Sequence, residues 1–273
     1  MAAVWQAGGM VDRLTVTGLQ WRASLDPAEN LAALASCQAR ADLVVLPEAF
    51  ARDFGPVTEP LGPHAEDQGG RFDAAVSDLA ARARGTVVAG MFETSGDPGR
   101  PFNTLLVRGA ATAAYRKIHL YDSFGYKESE RLTPGPWEPL VVDVQGWKVG
   151  LMTCYDLRFP ELGRALADRG AEVIVVPAAW LRGRTPEEHS RKLNAWERLA
   201  SARAIENVAY VVAVGQPGPD GYTGHSMVLD PYGEPVVEAG GRAAEISATL
   251  DRAVLDEARA TNPSLDNRVK RDR

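Results

Sequence analysis

Short apolar runs rich in β-branched residues alternate with amphipathic segments along the 273-residue chain. The runs predict strands at 13–20, 42–47, 85–93, 103–109, 110–117, 138–144, 147–154, 171–180, 209–215, 224–231 and 243–250. The amphipathic segments predict helices at 26–41, 71–84, 159–170 and 185–207. Strands and helices therefore interleave over the whole length. This order predicts an α/β layered protein with a mixed sheet, or two sheets packed together.

Local signals refine the boundaries of these elements. Asp26 is a candidate N-cap with Pro27 at the first helical position, and Gly170 is a candidate helix C-cap. No linker divides the chain, so we expect a flexible leader at 1–10 and a single domain over 11–273. The charged tail that begins at residue 251 is expected to hold a helix and an extended arm.

Composition narrows the classes of function. Hydrophobic residues make up 45% and charged residues 24%, as in soluble globular proteins, and the net charge of −6 disfavours nucleic acid and anionic membranes as partners. No apolar window is long enough for a membrane span. Two cysteines and a start without a basic, apolar signal segment indicate a cytoplasmic protein without a disulfide framework.

Three predicted strands are each followed by a residue whose side chain could take part in catalysis. Glu48, Lys117 and Cys154 follow apolar runs, and ligands of α/β sheets bind beyond the carboxyl ends of strands. A thiol attacks an amide as thiolate, a carboxylate can take its proton, and an ammonium can stabilise the oxyanion. The helix that begins near Phe159 would lower the pKa of the thiol if its N-terminus points at it. Cys37, in an Ala/Leu-rich helix, is expected to be a buried structural thiol.

The segments LPEAF, YRKIHLYD and CYDLRFPEL resemble, in that order, the three signature segments of the nitrilase superfamily of carbon–nitrogen hydrolases. The resemblance implies a four-layer αββα sandwich with mixed sheets that forms a homodimer or a higher homo-oligomer, and no metal or organic cofactor. It implies Glu48 as general base, Lys117 as oxyanion stabiliser and Cys154 as nucleophile that forms a thioester. The segment GYKESERLTPG is similar to the one that carries a second glutamate, which would be Glu128, with Glu130 as a near alternative.

Within the superfamily, CYDLRFPEL is similar to the amidase branch, which includes ω-amidases and deaminated-glutathione amidases. Arg158 matches a position that meets a substrate carboxylate in some relatives, which implies a small carboxylated amide as substrate. An ion pair of Arg158 with Asp156 or Glu161 is the other interpretation. Trp180 and Tyr155 are candidate pocket residues, although both also suit core packing.

Other functions fit parts of the same pattern. An N-carbamoyl amino acid or linear ureide hydrolase would use the same three residues, and a non-catalytic binding protein would share the fold. A Cys–His dyad, for which His225 would be the candidate histidine after Cys154, is disfavoured because neither cysteine has the local papain signature. No Cys/His cluster has zinc spacing.

Overall fold

The computed structural model describes residues 11–218 and 221–269, so the predicted leader at 1–10 and the last four residues of the tail lie outside the described residues. Two six-stranded mixed sheets form the centre of the molecule. The first sheet contains β1 (Arg13–Gln20), β2 (Leu43–Val45), β3 (Thr86–Glu93), β4 (Phe102–Arg108), β5 (Ala113–Arg116) and β14 (Ala244–Asp251), in the order β14-β1-β2-β3-β4-β5. The second contains β8 (Val141–Val144), β9 (Trp147–Leu151), β10 (Val173–Ala178), β11 (Tyr210–Gly215), β12 (Met227–Leu229) and β13 (Pro235–Glu238), in the order β13-β12-β11-β10-β9-β8. A small hairpin joins β6 (Asp122–Ser123) to β7 (Tyr126–Lys127).

Helices cover the outer face of each sheet. Those of the first half are α1 (Pro27–Ser36) and α2 (Arg71–Ala83), and those of the second half are α3 (Pro160–Asp168) and α4 (Pro186–Asn207), while α5 (Arg252–Thr261) follows β14. α2 packs on β3 and β4, whereas α3 and α4 pack on β9, β11 and β12. The layer order is therefore helix, sheet, sheet, helix, which confirms the predicted αββα sandwich.

The alternation of side chains along β2 shows how the layers are held together. Leu43 and Val45 belong to the apolar cluster between the two sheets, whereas Val44 belongs to the cluster beneath α1 and α2. Successive side chains of a strand point to opposite faces, so a strand buried on both sides must be apolar throughout. This explains why the run at 42–47 is continuously hydrophobic.

Several predicted elements end earlier than expected. α1 ends at Ser36 rather than at 41, because Cys37 turns to an extended conformation and the chain must return to place β2 beside β1. Cys37 is thus the buried C-cap of α1 rather than a residue within it. The predicted strand at 147–154 ends at Leu151, and the segment 122–137, for which no element is predicted, contains the β6–β7 hairpin. Phe124 and Gly125 form its turn with positive φ angles of 55° and 78°.

The predicted caps are present in the structure. The Asp26 side chain accepts a hydrogen bond from the Ala28 N–H, and Gly170 follows α3 in the left-handed region, with a φ of 84°. The tail forms a helix, α5, capped by the Asp251 side chain. In the part of the chain that the structure describes, no helix is long and apolar enough to cross a bilayer.

Candidate active site

Glu48 lies buried beyond the end of β2, between the two sheets. Its Oε1 accepts hydrogen bonds from Asn103 Nδ2 at 2.7 Å and from Lys117 Nζ at 2.9 Å, and its Oε2 accepts one from the Ala179 N–H at 2.7 Å. The chain turns sharply here, against the backbone of Gly90 on β3. A Cβ at Gly90 would lie 2.4 Å from the backbone nitrogen of Ala49, so a side chain there would displace Glu48.

Lys117 follows β5 and bridges two carboxylates. Its Nζ lies 2.9 Å from Glu48 Oε1, and 2.9 Å and 2.8 Å from the two oxygens of Glu128. Burial by itself would lower the pKa of Lys117, but the negative charges of Glu128 and Glu48 outweigh it and hold the pKa well above its usual range. The lysine is therefore a permanent ammonium, as oxyanion stabilisation requires.

Glu128 begins a short 3₁₀ helix, Glu128–Glu130, and its side chain is buried. Burial raises the pKa of Glu128, while Lys117 acts in the opposite direction. Its Oε2 also accepts a hydrogen bond from the Tyr121 N–H at 2.6 Å, which fixes the carboxylate against the backbone of Tyr121. Glu130 instead forms an exposed ion pair with Lys127, so Glu128 rather than Glu130 lies beside Lys117.

Cys154 begins a 3₁₀ helix, Cys154–Arg158, three residues beyond β9. Its φ of 46° lies in the left-handed region, which a residue with a Cβ adopts at some cost. Asp156 holds the turn in place by accepting hydrogen bonds from the Thr153 N–H at 2.9 Å, the Tyr115 hydroxyl at 2.7 Å and the His119 N–H at 2.9 Å. The segment that carries the thiol is thereby tied to the segment that carries Lys117.

The resting state of Cys154 is the neutral thiol. Burial raises its pKa well above the usual range, the negative charge of Glu48 and a hydrogen bond to that carboxylate add to the effect, and Lys117 opposes it. Any lowering of this pKa by the helix that begins near Phe159 does not outweigh these effects. The turn at 154–158 separates the thiol from the start of α3, and burial next to a carboxylate dominates.

One cavity of ≈ 130 Å³ brings all the predicted site residues together. Its walls include Glu48, Lys117, Glu128, Cys154, Tyr155, Arg158 and Trp180. None of the four histidines lines it, which removes support for a Cys–His dyad. Within residues 11–218 and 221–269, no group of three or more His, Cys, Asp or Glu side chains is arranged to hold a metal ion.

Arg158 faces the cavity between two aromatic rings. Its guanidinium carbon lies 5.1 Å from the centre of the Trp180 ring and 5.9 Å from that of Tyr155. Among the described residues it forms no ion pair with Asp156, whose oxygens are occupied, or with Glu161, and its Nε is buried without a hydrogen-bond partner. This geometry therefore disfavours the interpretation of Arg158 as an ion-pair partner of Asp156 or Glu161. Trp180 both packs on Trp196 in the core and lines the cavity.

Three further residues at the site, Asn103, Lys192 and Tyr222, were not predicted from the sequence. The Asn103 side-chain amide donates a hydrogen bond to Glu48, and its backbone carbonyl accepts one from the Lys117 backbone N–H at 2.8 Å, so Asn103 connects the two segments. Lys192 and Tyr222 reach the cavity from α4 and from the loop before β12. Asn103 is a polar residue near the start of a strand whose middle, 105–107, is apolar, which is a usable signal. Neither Lys192 nor Tyr222 has a comparable one.

Comparisons with known proteins agree with this architecture. The family model described as carbon-nitrogen hydrolase matches residues 3–260. A protein named a hydrolase from Mycobacterium tuberculosis is 42% identical over 255 residues, which cover 85% of this chain and 87% of that protein. A deaminated glutathione amidase from Synechocystis sp. is 36% identical over 261 residues, covering 90% and 92%. The crystal structure of a CN-hydrolase superfamily protein from Xanthomonas campestris, with an arsenic adduct in its active site, superposes with a TM-score of 0.82 at 31% identity, covering 96% of this chain and 100% of that one.

Proposed function

Because this chain belongs to the carbon–nitrogen hydrolase family and is an amidase of the nitrilase superfamily, we propose that it hydrolyses a small carboxylated amide at the Cys154 site. One observation carries the assignment of roles: a buried ammonium, Lys117, bridges the carboxylates of Glu48 and Glu128 in the cavity that contains the thiol. A carboxylate base, a fixed positive charge and a nucleophile are the groups that cofactor-independent amide hydrolysis needs.

The first half of the reaction acylates the cysteine. Glu48 accepts the thiol proton as the sulfur attacks the carbonyl carbon, which suits a thiol that is protonated at rest. The carbonyl π electrons move to oxygen, where the Lys117 ammonium stabilises the negative charge. Glu48 then gives its proton to the amide nitrogen, the C–N bond breaks, ammonia or an amine leaves and a thioester remains.

The second half returns the enzyme to its starting state. Glu48 takes a proton from water as the hydroxide attacks the thioester carbonyl, and Lys117 again faces the oxyanion. The C–S bond then breaks, the proton on Glu48 returns to the thiolate, and the carboxylic acid is released. Glu128 keeps the ammonium of Lys117 in place through both halves by its two hydrogen bonds.

Arg158 supports a substrate with a carboxylate. Its guanidinium carries five donors and is always charged, and in this cavity it lies over aromatic rings rather than against an acid. The name of the Synechocystis relative, a deaminated glutathione amidase, agrees with a carboxylated amide. We assign Arg158 to the substrate carboxylate, with Trp180 and Tyr155 as the walls that hold the guanidinium in position.

Cys154→Ala tests the nucleophile, because it removes the thiol with little change in volume. We expect no turnover of α-ketoglutaramate or deaminated glutathione by the variant, and a thioester adduct on Cys154 in the intact mass of wild type quenched during turnover. Cys37→Ala is the matched control, since that thiol lies outside the cavity. Turnover by Cys154→Ala, or a wild type that converts only N-carbamoyl amino acids with release of carbon dioxide, would contradict the proposal.

We also propose a homodimer in the cytoplasm. Ile205 on α4, Tyr232 and Val236 expose large apolar side chains, and Ile205 lies beside the turn at Gly233. An apolar surface of this kind suits self-association. The two cysteines are both unpaired, which suits a reducing compartment. Sedimentation velocity and cell fractionation test the two statements separately.

A further inference from the structure

The cavity carries more positive charge than the reaction requires. Its walls contain two acidic side chains, Glu48 and Glu128, and four cationic ones, Lys117, Arg131, Arg158 and Lys192. The two acids are engaged with Lys117, and the thiol is neutral. The chain as a whole has a net charge of −6, so the positive excess is local to this pocket. A substrate with two negative charges would neutralise it.

Lys192 projects into this cavity from α4. Lys192 lies one helical turn before the buried Trp196, so the two side chains lie on the same face of α4. Its backbone carbonyl accepts the indole N–H of Trp180 at 2.9 Å, which fixes this part of α4 against the cavity wall. Its Nζ lies 3.3 Å from the carbonyl oxygen of Arg182 and 5.2 Å from the ring centre of Phe124.

The charge of Lys192 is not balanced by an acid. Among the described residues no carboxylate forms an ion pair with it, although Glu188 lies on the same helix. Burial lowers the pKa of Lys192, and repulsion from Arg184 and Arg158 adds to that effect while Glu188 opposes it. A negative charge between Lys192 and Arg158 would remove this repulsion.

Trp180 contacts both the guanidinium of Arg158 and the backbone of Lys192. The guanidinium of Arg158 stacks over its ring, and its indole N–H holds the backbone of Lys192. We propose that Lys192 is a specificity residue that binds a second anionic group, so that the substrate class is an amide with two carboxylates, one at Arg158 and one at Lys192. This inference rests on the proposed function, because it assigns the substrate of the same cavity.

Binding to an inactive protein tests this assignment without relying on turnover. In the Cys154→Ala background, calorimetry compares glutaramate, which has one carboxylate, with two probes that have two. N-(Carboxymethyl)glutaramate carries the second carboxylate on the amine half, and 3-carboxyglutaramate carries it on the acyl half. We expect Lys192→Met to weaken at least one of the two dianionic probes about tenfold and glutaramate less than about twofold. Lys192→Arg should restore most of the loss.

Arg191→Met is the matched control, because Arg191 is the exposed neighbour on the same helix and changes the net charge equally. It should leave the binding of all three probes unchanged. Equal weakening of glutaramate and the dianions by Lys192→Met would show that both cations share one carboxylate and would overturn the inference. So would no effect on any probe, or no binding of either dianion. Hydrolysis of glutaramate by wild type is measured alongside, so that a failure of the proposed function is seen separately.

Discussion

Glu48→Gln separates the role of Glu48 as a base from its role in the structure. The substitution keeps the shape of the side chain but replaces one oxygen by an NH₂ group. The nitrogen groups bound to Glu48 are all donors, namely Asn103 Nδ2 and Lys117 Nζ on one oxygen and the Ala179 N–H on the other. Either orientation of the amide therefore points its NH₂ group at a donor.

The size of the effect follows from these contacts. One buried donor left unpaired costs about 1–3 kcal/mol, which would lower the melting temperature by roughly 2–5 °C for a chain of this length. Turnover should fall much further, by about 10³-fold, because the amide cannot accept the thiol proton. The pKa of Cys154 should move down, since the negative charge of Glu48 is one of the causes that raise it and Lys117 remains.

The assay therefore has three readings: the melting temperature, the rate of product formation, and the pH dependence of Cys154 alkylation followed by mass spectrometry of its peptide. A protein that is folded, reacts with iodoacetamide at lower pH than wild type and yet does not turn over substrate fits a lost base. Glu130→Gln, in the same short helix as Glu128 but exposed, is the control. Turnover within about threefold of wild type, or a thiol pKa that rises, would refute the assignment of Glu48 as the base.

Three further perturbations test other parts of the structure. Asp156→Asn should lower both the melting temperature and the turnover rate, because each of its oxygens accepts two hydrogen bonds that hold the Cys154 turn; unchanged kinetics would show that this network does not position the thiol. Arg108→Gln should lower the free energy of unfolding by about 3 kcal/mol at pH 7, since the hydrogen bonds of Arg108 lower the pKa of the buried Asp73. The difference from wild type should shrink as the pH falls through and below the usual carboxyl pKa of 3.8, where the carboxylate takes up its proton. Urea titrations at several pH values measure this difference. Ile205→Glu should shift the sedimentation coefficient from dimer to monomer without altering the far-UV circular dichroism, and an unchanged coefficient would place any dimer contact elsewhere.

The sequence alone identified the elements whose signals are local. β2 was predictable because a strand buried on both faces must be apolar at every position, and the start of α1 because Asp26 and Pro27 satisfy the end of a helix by themselves. Glu48, Lys117, Glu128 and Cys154 were found because each lies in a short segment similar to a family motif. The end of α1 and the β6–β7 hairpin were not, since both depend on where the chain must return in space.

Only the tertiary structure decided how these residues act on one another. The pKa of Cys154 depends on burial and on Glu48, which lies 106 positions away along the chain, and no local pattern contains that proximity. The same is true of Asn103, which joins Glu48 to Lys117, and of Lys192, which lines the cavity from α4. Short motifs specify which groups are present, whereas the packing of two sheets determines their distances, and electrostatic interactions depend on distance.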